Sequence, residues 1–229
     1  MSAYDPFAPI YDEWAAVMTE DVPWYVELAL EADGPIVELA VGTGRVAVPV
    51  AQATGRTVIG IDASPAMLER AKVRAESAGA ALDLRLGDMR ELELLEPAAL
   101  VYCPFRSLLH LPTWADRRHL FEHVAASLRP GGRFAWNAFV FSHLIAAELD
   151  GVHRDEPFGH TNRYFPHDNR IEIELDLGAT LSLWWVSRSE WEGLIDVAGL
   201  EVEALYGGFE RQPFDESANE FVWVARSPE

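Results

Sequence analysis

Hydrophobic and polar residues follow two alternating periods along most of this chain. Short apolar runs, typical of buried strands, are each followed by stretches whose apolar residues lie three or four positions apart, as in amphipathic helices. The first five predicted strands begin at Ile36, Val58, Leu82, Leu100 and Arg133. Strands that alternate with helices in this way predict a doubly wound, mainly parallel sheet with helices on both faces.

Polar residues at three predicted helix starts support this assignment. Ser64 precedes a proline, which is a favoured first residue of a helix. Thr113 with Asp116, and Ser187 with Glu190, have the spacing of a capping box, whose side chains satisfy N–H groups of the first helical turn. We therefore expect helices to begin directly after Ser64, Thr113 and Ser187.

The pattern changes after residue 139. Residues 140–162 show no regular period, whereas residues 171–177 alternate apolar and acidic side chains, as a half-exposed strand does. Residues 180–186 are the expected hairpin partner of that strand. The sequence therefore predicts a small β insertion over residues 140–186.

The two ends of the chain complete the expected architecture. Apolar and aromatic residues recur at helical spacing near the start, namely Phe7, Ile10, Tyr11, Trp14, Val17 and Met18. A second helix is predicted over 23–31. Near the other end, 202–206 and 221–225 are predicted strands, which brings the main sheet to seven strands.

Composition limits the class of protein. A chain of 229 residues that is 49% apolar suits one globular α/β domain with a few additions. No apolar run approaches the roughly 20 residues that cross a membrane, and the first residues do not resemble a signal peptide. A single cysteine, Cys103, excludes an internal disulfide and a cysteine-based metal cluster. We expect a cytoplasmic protein that does not associate with membranes.

The charge balance argues against one class of partner. The formal net charge is −19, from 18 Lys and Arg against 37 Asp and Glu. Nucleic-acid binders gain much of their affinity from Lys and Arg contacts to phosphates, so we expect no nucleic-acid partner. Solubility explains the acidity more simply than attraction of a cationic substrate does.

The candidate chemistry begins in residues 36–46. A strand-like apolar run turns through Gly42 and Gly44 and leads into a helix, so a ligand can lie against bare backbone and face the positive end of the helix dipole. Glu38 lies near the end of the strand. The spacing is not the G-x-G-x-x-G of nicotinamide-binding proteins, which makes a dehydrogenase the less favoured interpretation.

The series Glu38, Ala40, Gly42, Gly44 resembles the E/D-x-G-x-G-x-G turn of class I S-adenosylmethionine-dependent methyltransferases, with Ala40 in place of the first glycine. The resemblance to small-molecule members of this family runs nearly end to end. It implies a Rossmann-like fold whose last strand is antiparallel, S-adenosylmethionine as cofactor, and a small-molecule acceptor of the methyl group.

The resemblance also implies how the chain is organised. Residues 7–12 resemble the family's A-x-x-Y-D lid, whose Tyr, here Tyr11, closes over the cofactor; the alternative is that Tyr11 is a core aromatic. We expect a single domain whose parts are a helical lid (1–31), a cofactor-binding half (32–139), the insertion over the active site (140–186) and a C-terminal helix with a strand hairpin (187–229).

Three carboxylates fall at the ends of three successive predicted strands: Glu38, Asp62 and Asp88. Because the carboxyl ends of parallel strands meet at one edge of a sheet, all three are expected at one crevice. By resemblance, Asp62 binds the ribose hydroxyls, Asp88 accepts from the adenine amino group, and Glu38 helps hold the methionine end. Each acid alone is as well explained as a helix cap or turn former.

Other site residues are assigned by the same resemblance. Ala63 and Met67 flank the adenine, and Met89 offers it a backbone N–H. Pro104 and Phe105 lie in the loop that the family places beside the methionine moiety, where Ser107 is a further hydrogen-bonding candidate.

His110 and Tyr11 are the candidate catalytic residues. Histidine is suited to proton transfer at neutral pH, but His110 is equally well placed to cap the next helix. No metal is expected, because His143, His153, His160 and His167 lack ligand-like spacing. Arg106 and Arg163 are candidate anchors for a substrate carboxylate, although surface salt bridges explain them more simply.

The sequence leaves a second function open. A non-catalytic or regulatory protein that binds S-adenosylmethionine would carry the same turn and acids. The acceptor, the methylated atom and the oligomeric state have no signal in the sequence.

Overall fold

A computed structural model describes residues 4–16, 19–156 and 158–229. In chain order, the helices are α1 (Ala8–Trp14), α2 (Asp21–Glu31), α3 (Ala47–Thr54), α4 (Pro65–Ala78), α5 (Trp114–Ser127), α6 (His143–Leu149) and α7 (Arg188–Val197). The strands are β1 (Ile36–Leu39), β2 (Val58–Asp62), β3 (Leu82–Leu86), β4 (Ala98–Cys103), β5 (Leu128–Phe139), β6 (His153–Arg154), β7 (His160–Phe165), β8 (Arg170–Leu175), β9 (Thr180–Trp184), β10 (Glu201–Tyr206) and β11 (Glu220–Arg226).

Seven strands of the described chain pair into the main sheet, in the order β3-β2-β1-β4-β5-β11-β10. The first five run parallel, whereas β11 pairs antiparallel with both β5 and β10. The predicted seven-stranded, mainly parallel sheet with an antiparallel last strand is confirmed. The sheet order reverses beside β1, so the carboxyl ends of β1, β2 and β4 open around one crevice.

The predicted helix starts are also found. The hydroxyl of Ser64 accepts a hydrogen bond from the N–H of Met67 at 3.2 Å, and that of Thr113 accepts from Asp116 at 3.1 Å. Ser187 caps α7 in the same way. Two of the first five strands begin earlier than predicted. Strand β4 begins at Ala98 rather than Leu100, and β5 begins at Leu128 rather than Arg133, because α5 ends at Ser127 and the following Pro-Gly-Gly segment is already part of the strand.

Both faces of the main sheet are covered by apolar packing. One face packs against α5 and α7 around Phe121, Trp136 and Trp191, and the other packs against α2 and α3 around Tyr25 and Val50. Strands β1, β4 and β11 are buried along nearly their whole length. The sheet is therefore a rigid support for whatever lies at its edge.

Strands β6 to β9 form a second, antiparallel sheet. The predicted hairpin of β8 and β9 is present, with Gly178 in the left-handed conformation of its turn. The expectation of irregular structure over 140–162 was wrong, since α6, β6 and the start of β7 lie there. These elements are short. Strand β6 pairs with β7 and β7 pairs with β8, so the structure of both strands depends on pairing rather than on a local period.

The N-terminal segment packs on the body through α1. Phe7, Tyr11 and Met67 share a small apolar cluster with Leu175 and Leu181 of the second sheet. Val17 and Met18, which the helical spacing included, lie outside the described residues. Among the described residues, helices that combine enough length and hydrophobicity to span a bilayer are absent.

Candidate active site

The glycine turn after β1 holds three residues in the left-handed conformation. Ala40 has φ of 54°, Gly42 of 55° and Gly44 of 76°. The left-handed region suits glycine and strains alanine, so the residue that departs from the family pattern sits at a strained position. A Cβ added at Gly42 would meet only the carbonyl oxygen of Ala40, at 3.9 Å, so the space beside Gly42 is open.

A cavity of about 370 Å³ lies at this turn, at the carboxyl ends of β1, β2 and β3. Its volume is within the range of small-ligand sites. Eleven of the residues singled out from the sequence line it, namely Tyr11, Ala40, Gly42, Asp62, Ala63, Met67, Asp88, Met89, Phe105, Ser107 and His110. The structure therefore brings together most of the predicted site.

Asp62 connects the glycine turn to the start of α4. Its Oδ2 accepts the N–H of Gly42 and its Oδ1 accepts the N–H of Ser64, each at 2.8 Å. Burial raises the pKa of Asp62, and these backbone hydrogen bonds oppose that rise. The carboxylate is a strong hydrogen-bond acceptor held in a fixed orientation on the cavity wall.

Asp88 lies on the same wall but in a more open setting. Arg90 donates to it from Nε and Nη2, the latter at 2.6 Å, and the Arg90 guanidinium lowers the pKa of Asp88. The same Arg90 also donates to Asp116 of α5. Sequence reasoning missed Arg90, although its position two residues after Asp88 in a predicted turn is a visible signal.

Glu38 does not reach the cavity, in contrast to the expectation that three carboxylates converge. It lies in the core, 1% exposed, and its Oε2 accepts the Tyr102 hydroxyl at 2.7 Å. Burial raises the pKa of Glu38 to about 8. The side chain is part of the core rather than of the cavity lining, in a strand whose four residues are all buried.

Gly44 and Pro104 are likewise not among the lining residues. A Cβ at Gly44 would meet Val48 at 3.4 Å and Ala71 at 3.5 Å, so this glycine allows α3 and α4 to approach closely. The carbonyl of Pro104 accepts the Ser107 hydroxyl at 2.8 Å, so Ser107 stabilises its own loop. Sequence reasoning also missed Tyr4, Leu111 and Pro112 as lining residues.

His110 lies between the N-terminal segment and the second sheet. Its Nδ1 donates to the carbonyl of Ser182 at 2.9 Å, and its Nε2 accepts the Tyr4 hydroxyl. Burial lowers the pKa of His110 to about 4, so the ring is neutral at physiological pH. The alternative role as a helix cap is excluded, because Thr113 caps α5.

A second cavity of about 170 Å³ adjoins the first. The two share four lining residues: Tyr4, Tyr11, Phe105 and His110. Apolar side chains of the second sheet, Ile173, Leu181 and Leu183, form part of its wall. The arrangement can hold two ligands side by side, with their contact at the shared aromatic wall.

The arginines near the second cavity are held in ion pairs. Arg106 donates to Glu220, with the shortest contact at 2.7 Å, and Arg45 donates to Asp21 at 2.7 Å. The Arg45 guanidinium also lies over the ring of Phe105, 4.6 Å from its centre. Arg163 pairs with Glu174. The simpler interpretation of Arg106 and Arg163 as salt-bridge partners therefore agrees with the structure.

Comparisons with known proteins agree with this geometry. A family model described as a methyltransferase domain matches residues 36–132. The chain is 33% identical over 223 residues to 27-O-demethylrifamycin SV methyltransferase of Amycolatopsis mediterranei. The aligned region covers 88% of this chain and 80% of that protein. The chain is 29% identical over 201 residues to the uncharacterized methyltransferase sll0829 of Synechocystis, covering 85% and 81%. The solved CcbJ methyltransferase from Streptomyces caelestis matches with a TM-score of 0.84 and 25% identity over 100% of this chain and 99% of that one.

Proposed function

The chain belongs to the class I S-adenosylmethionine-dependent methyltransferases, and from this premise we propose that it transfers the methyl group of S-adenosylmethionine to a small molecule bound in the second cavity. The observation that carries the proposal is the pair of adjoining cavities with a shared wall of Tyr4, Tyr11, Phe105 and His110. A protein that only bound the cofactor would have no need of a second chamber at this wall.

The first cavity fits the chemistry of the cofactor. Ribose hydroxyls and an adenine amino group need acceptors, and Asp62 and Asp88 supply carboxylates on one wall. Met67, Met89 and Ile61 provide apolar surface for a ring, and the space beside Gly42 admits a ligand close to the backbone. S-adenosylmethionine would supply an electrophilic methyl group on a sulfonium. The lining residues would bind and orient it.

The second cavity is proposed as the acceptor site. Transfer from a sulfonium is an in-line displacement, so orientation of the acceptor matters before any acid or base does. Ile173, Leu181 and Leu183 exclude water and restrict the acceptor, while Asn137 and Glu220 offer polar contacts. The specific acceptor and the methylated atom depend on this chamber. A cytoplasmic location stays a prediction.

His110 is proposed as a positioning residue for Tyr4 rather than as the general base. An imidazole whose pKa is about 4 is a weak base, so it accepts a proton poorly at neutral pH. Because Nε2 of His110 accepts a hydrogen bond from the Tyr4 hydroxyl, the phenol oxygen is held at the shared wall. A hydroxyl that donates one hydrogen bond can also accept others. Tyr4 would then accept a hydrogen bond from the acceptor, and Tyr11 would close the wall beside it.

Binding of S-adenosylhomocysteine, measured by calorimetry, tests the cofactor assignment. Asp62→Asn keeps an acceptor oxygen for one backbone N–H but removes the charge. It should weaken binding by about 10- to 100-fold, as expected for the loss of hydrogen bonds to a charged group. Asp83→Asn is the matched control, since Asp83 lies on β3 in an exposed pair with Arg85. Equal affinity of Asp62→Asn and wild type would refute the assignment.

Turnover is tested separately. The protein is incubated with S-adenosylmethionine and a panel of phenols, alcohols and amines, and S-adenosylhomocysteine release is followed by mass spectrometry. Release above the acceptor-free rate with one of these is expected. A thermal shift with NADH but not with S-adenosylhomocysteine would instead support a dehydrogenase.

A further inference from the structure

Two histidines on α5 face a carboxylate from a neighbouring turn, away from both cavities. His119 and His123 are four residues apart, so they lie on one face of the helix, and their ring centres are 4.3 Å apart. Glu91 ends the short 3₁₀ turn Met89–Glu91, which packs against α5. One ligand atom from each of the three side chains lies within 4.8 Å of the others.

We propose that Glu91, His119 and His123 form a binding site for a divalent transition-metal cation of the zinc type. Imidazole nitrogens and a carboxylate oxygen are the ligands that Zn²⁺ takes in proteins, and two histidines four apart on a helix are a frequent pair in such sites. Three protein ligands would leave the fourth position to water. The proposal does not depend on methyl transfer.

The distances fit this chemistry. Two ligand atoms bound to one zinc ion at about 2.1 Å lie roughly 3.4 Å apart in a tetrahedral site. Nε2 of His119 is 3.3 Å from Oε1 of Glu91, which matches the ligand-to-ligand distance of a tetrahedral zinc site without movement of either side chain. The ligand nitrogen of His123 lies within 4.8 Å of both atoms, so a side-chain rotation would bring it to the same separation. All three side chains are at least partly exposed, so an ion has access to them.

One neighbouring group favours ligation by His123. Its Nδ1 lies 3.5 Å from the carbonyl oxygen of Leu92. Metal-binding histidines usually donate their second ring N–H to such an acceptor, which fixes the ring and the tautomer. The expectation of no metal considered only the histidines in and near the insertion and overlooked this pair, although its spacing on a predicted helix was visible in the sequence.

The location gives the site a consequence for the rest of the molecule. Glu91 closes the turn that carries Met89 and Arg90, both of which line the first cavity. The turn already has one connection to α5, through Arg90 and Asp116. A bound ion would add a second one and restrict the turn further.

Zinc titration of chelator-treated protein tests the site. Calorimetry of wild type should show one Zn²⁺ per chain. Removing a hydrogen-bond partner of a metal ligand weakens metal binding roughly 10- to 100-fold. His119→Ala and His123→Ala each remove a ligand itself, so each should weaken Zn²⁺ binding by more than that. His167→Ala is the matched control, since His167 is exposed and distant in sequence, and it should bind like wild type.

Metal-free melting temperatures of all four proteins show whether a variant folds. As a second measurement, Zn²⁺ should slow amide hydrogen exchange of the turn Met89–Glu91 in wild type and not in His119→Ala. The proposal is overturned if wild type binds no Zn²⁺, if either helix variant binds it as tightly as wild type, or if His167→Ala loses affinity to the same extent.

Discussion

At the scale of single residues, Glu38 places a carboxyl group where water does not reach it. Burial raises its pKa from 4.5 to about 8, so between these pH values the folded protein keeps a proton that the unfolded chain has lost. The free energy of unfolding should therefore fall as pH rises through this window. Glu38→Gln keeps an acceptor for the Tyr102 hydroxyl but cannot ionise, so its curve should lack this decline.

The measurement is urea unfolding of both proteins at intervals from pH 5 to 9, with the difference between them plotted against pH. Taking the difference cancels the titration of all other groups. Parallel curves would mean that Glu38 ionises in the fold as easily as in the unfolded chain, which would contradict its buried placement.

Glu38 also shows how much of a site can be predicted from the sequence. The alternation of strands and helices places Asp62 and Asp88 at the sheet edge, and the structure finds both on the cavity wall. Whether a side chain is buried or lines the cavity depends on where its strand ends and on its contacts with residues distant in sequence. Glu38 meets Tyr102, and Tyr4 meets His110, through contacts of 64 and 106 residues in separation. No local pattern contains such pairings.

At the scale of elements, Asp12 holds α1 against the glycine turn. It accepts the Thr43 hydroxyl at 2.6 Å and is paired with Arg70 at 2.6 Å and Arg74 at 2.7 Å, both from α4. Asp12→Ala should release α1, so that its amides exchange hydrogen faster. Because Tyr11 of α1 lines both cavities, S-adenosylhomocysteine should bind on the order of tenfold more weakly, which corresponds to the loss of about one hydrogen bond to a charged group.

Glu13→Ala is the control, since Glu13 is the exposed neighbour on the same helix. Hydrogen exchange followed by mass spectrometry and calorimetric titration provide the two measurements. Unchanged exchange in α1 of Asp12→Ala would show that apolar packing alone holds the helix in place.

The elements differ in how well their sequences predict them. Strands β1, β2 and β4 are apolar except for Glu38 and Asp62, and Ser64 and Thr113 satisfy helix N-termini by local hydrogen bonds, so a local pattern is enough. Strand β7 has the sequence HTNRYF, with mixed polarity and no clear period. Its pairing with β8 decides its structure, and such pairing is a long-range property.

At the scale of the whole molecule, three parts that are distant in sequence meet around the cavities. The main sheet contributes its edge, the N-terminal segment contributes Tyr4 and Tyr11, and the second sheet contributes Leu181 and the carbonyl of Ser182. The small apolar cluster of Phe7, Tyr11, Met67, Leu175 and Leu181 joins the N-terminal segment and the second sheet to α4, which itself packs on the main sheet. Closure of the site therefore depends on the docking of the N-terminal segment, whose Phe7 is fully buried, and of the less buried second sheet onto the deeply buried main sheet.

This distribution of burial predicts unequal local stability. Strands β1, β4 and β11 are buried almost throughout, whereas β6 is exposed and β7 is at most half-buried. Segments with little buried apolar surface open at lower free energy than the core does. Amides of β6 and β7 should exchange hydrogen through openings well below the global free energy of unfolding, and those of β4 only through global unfolding. Hydrogen exchange over a series of low urea concentrations measures both. Identical opening free energies would instead mean that the two sheets unfold as one cooperative unit.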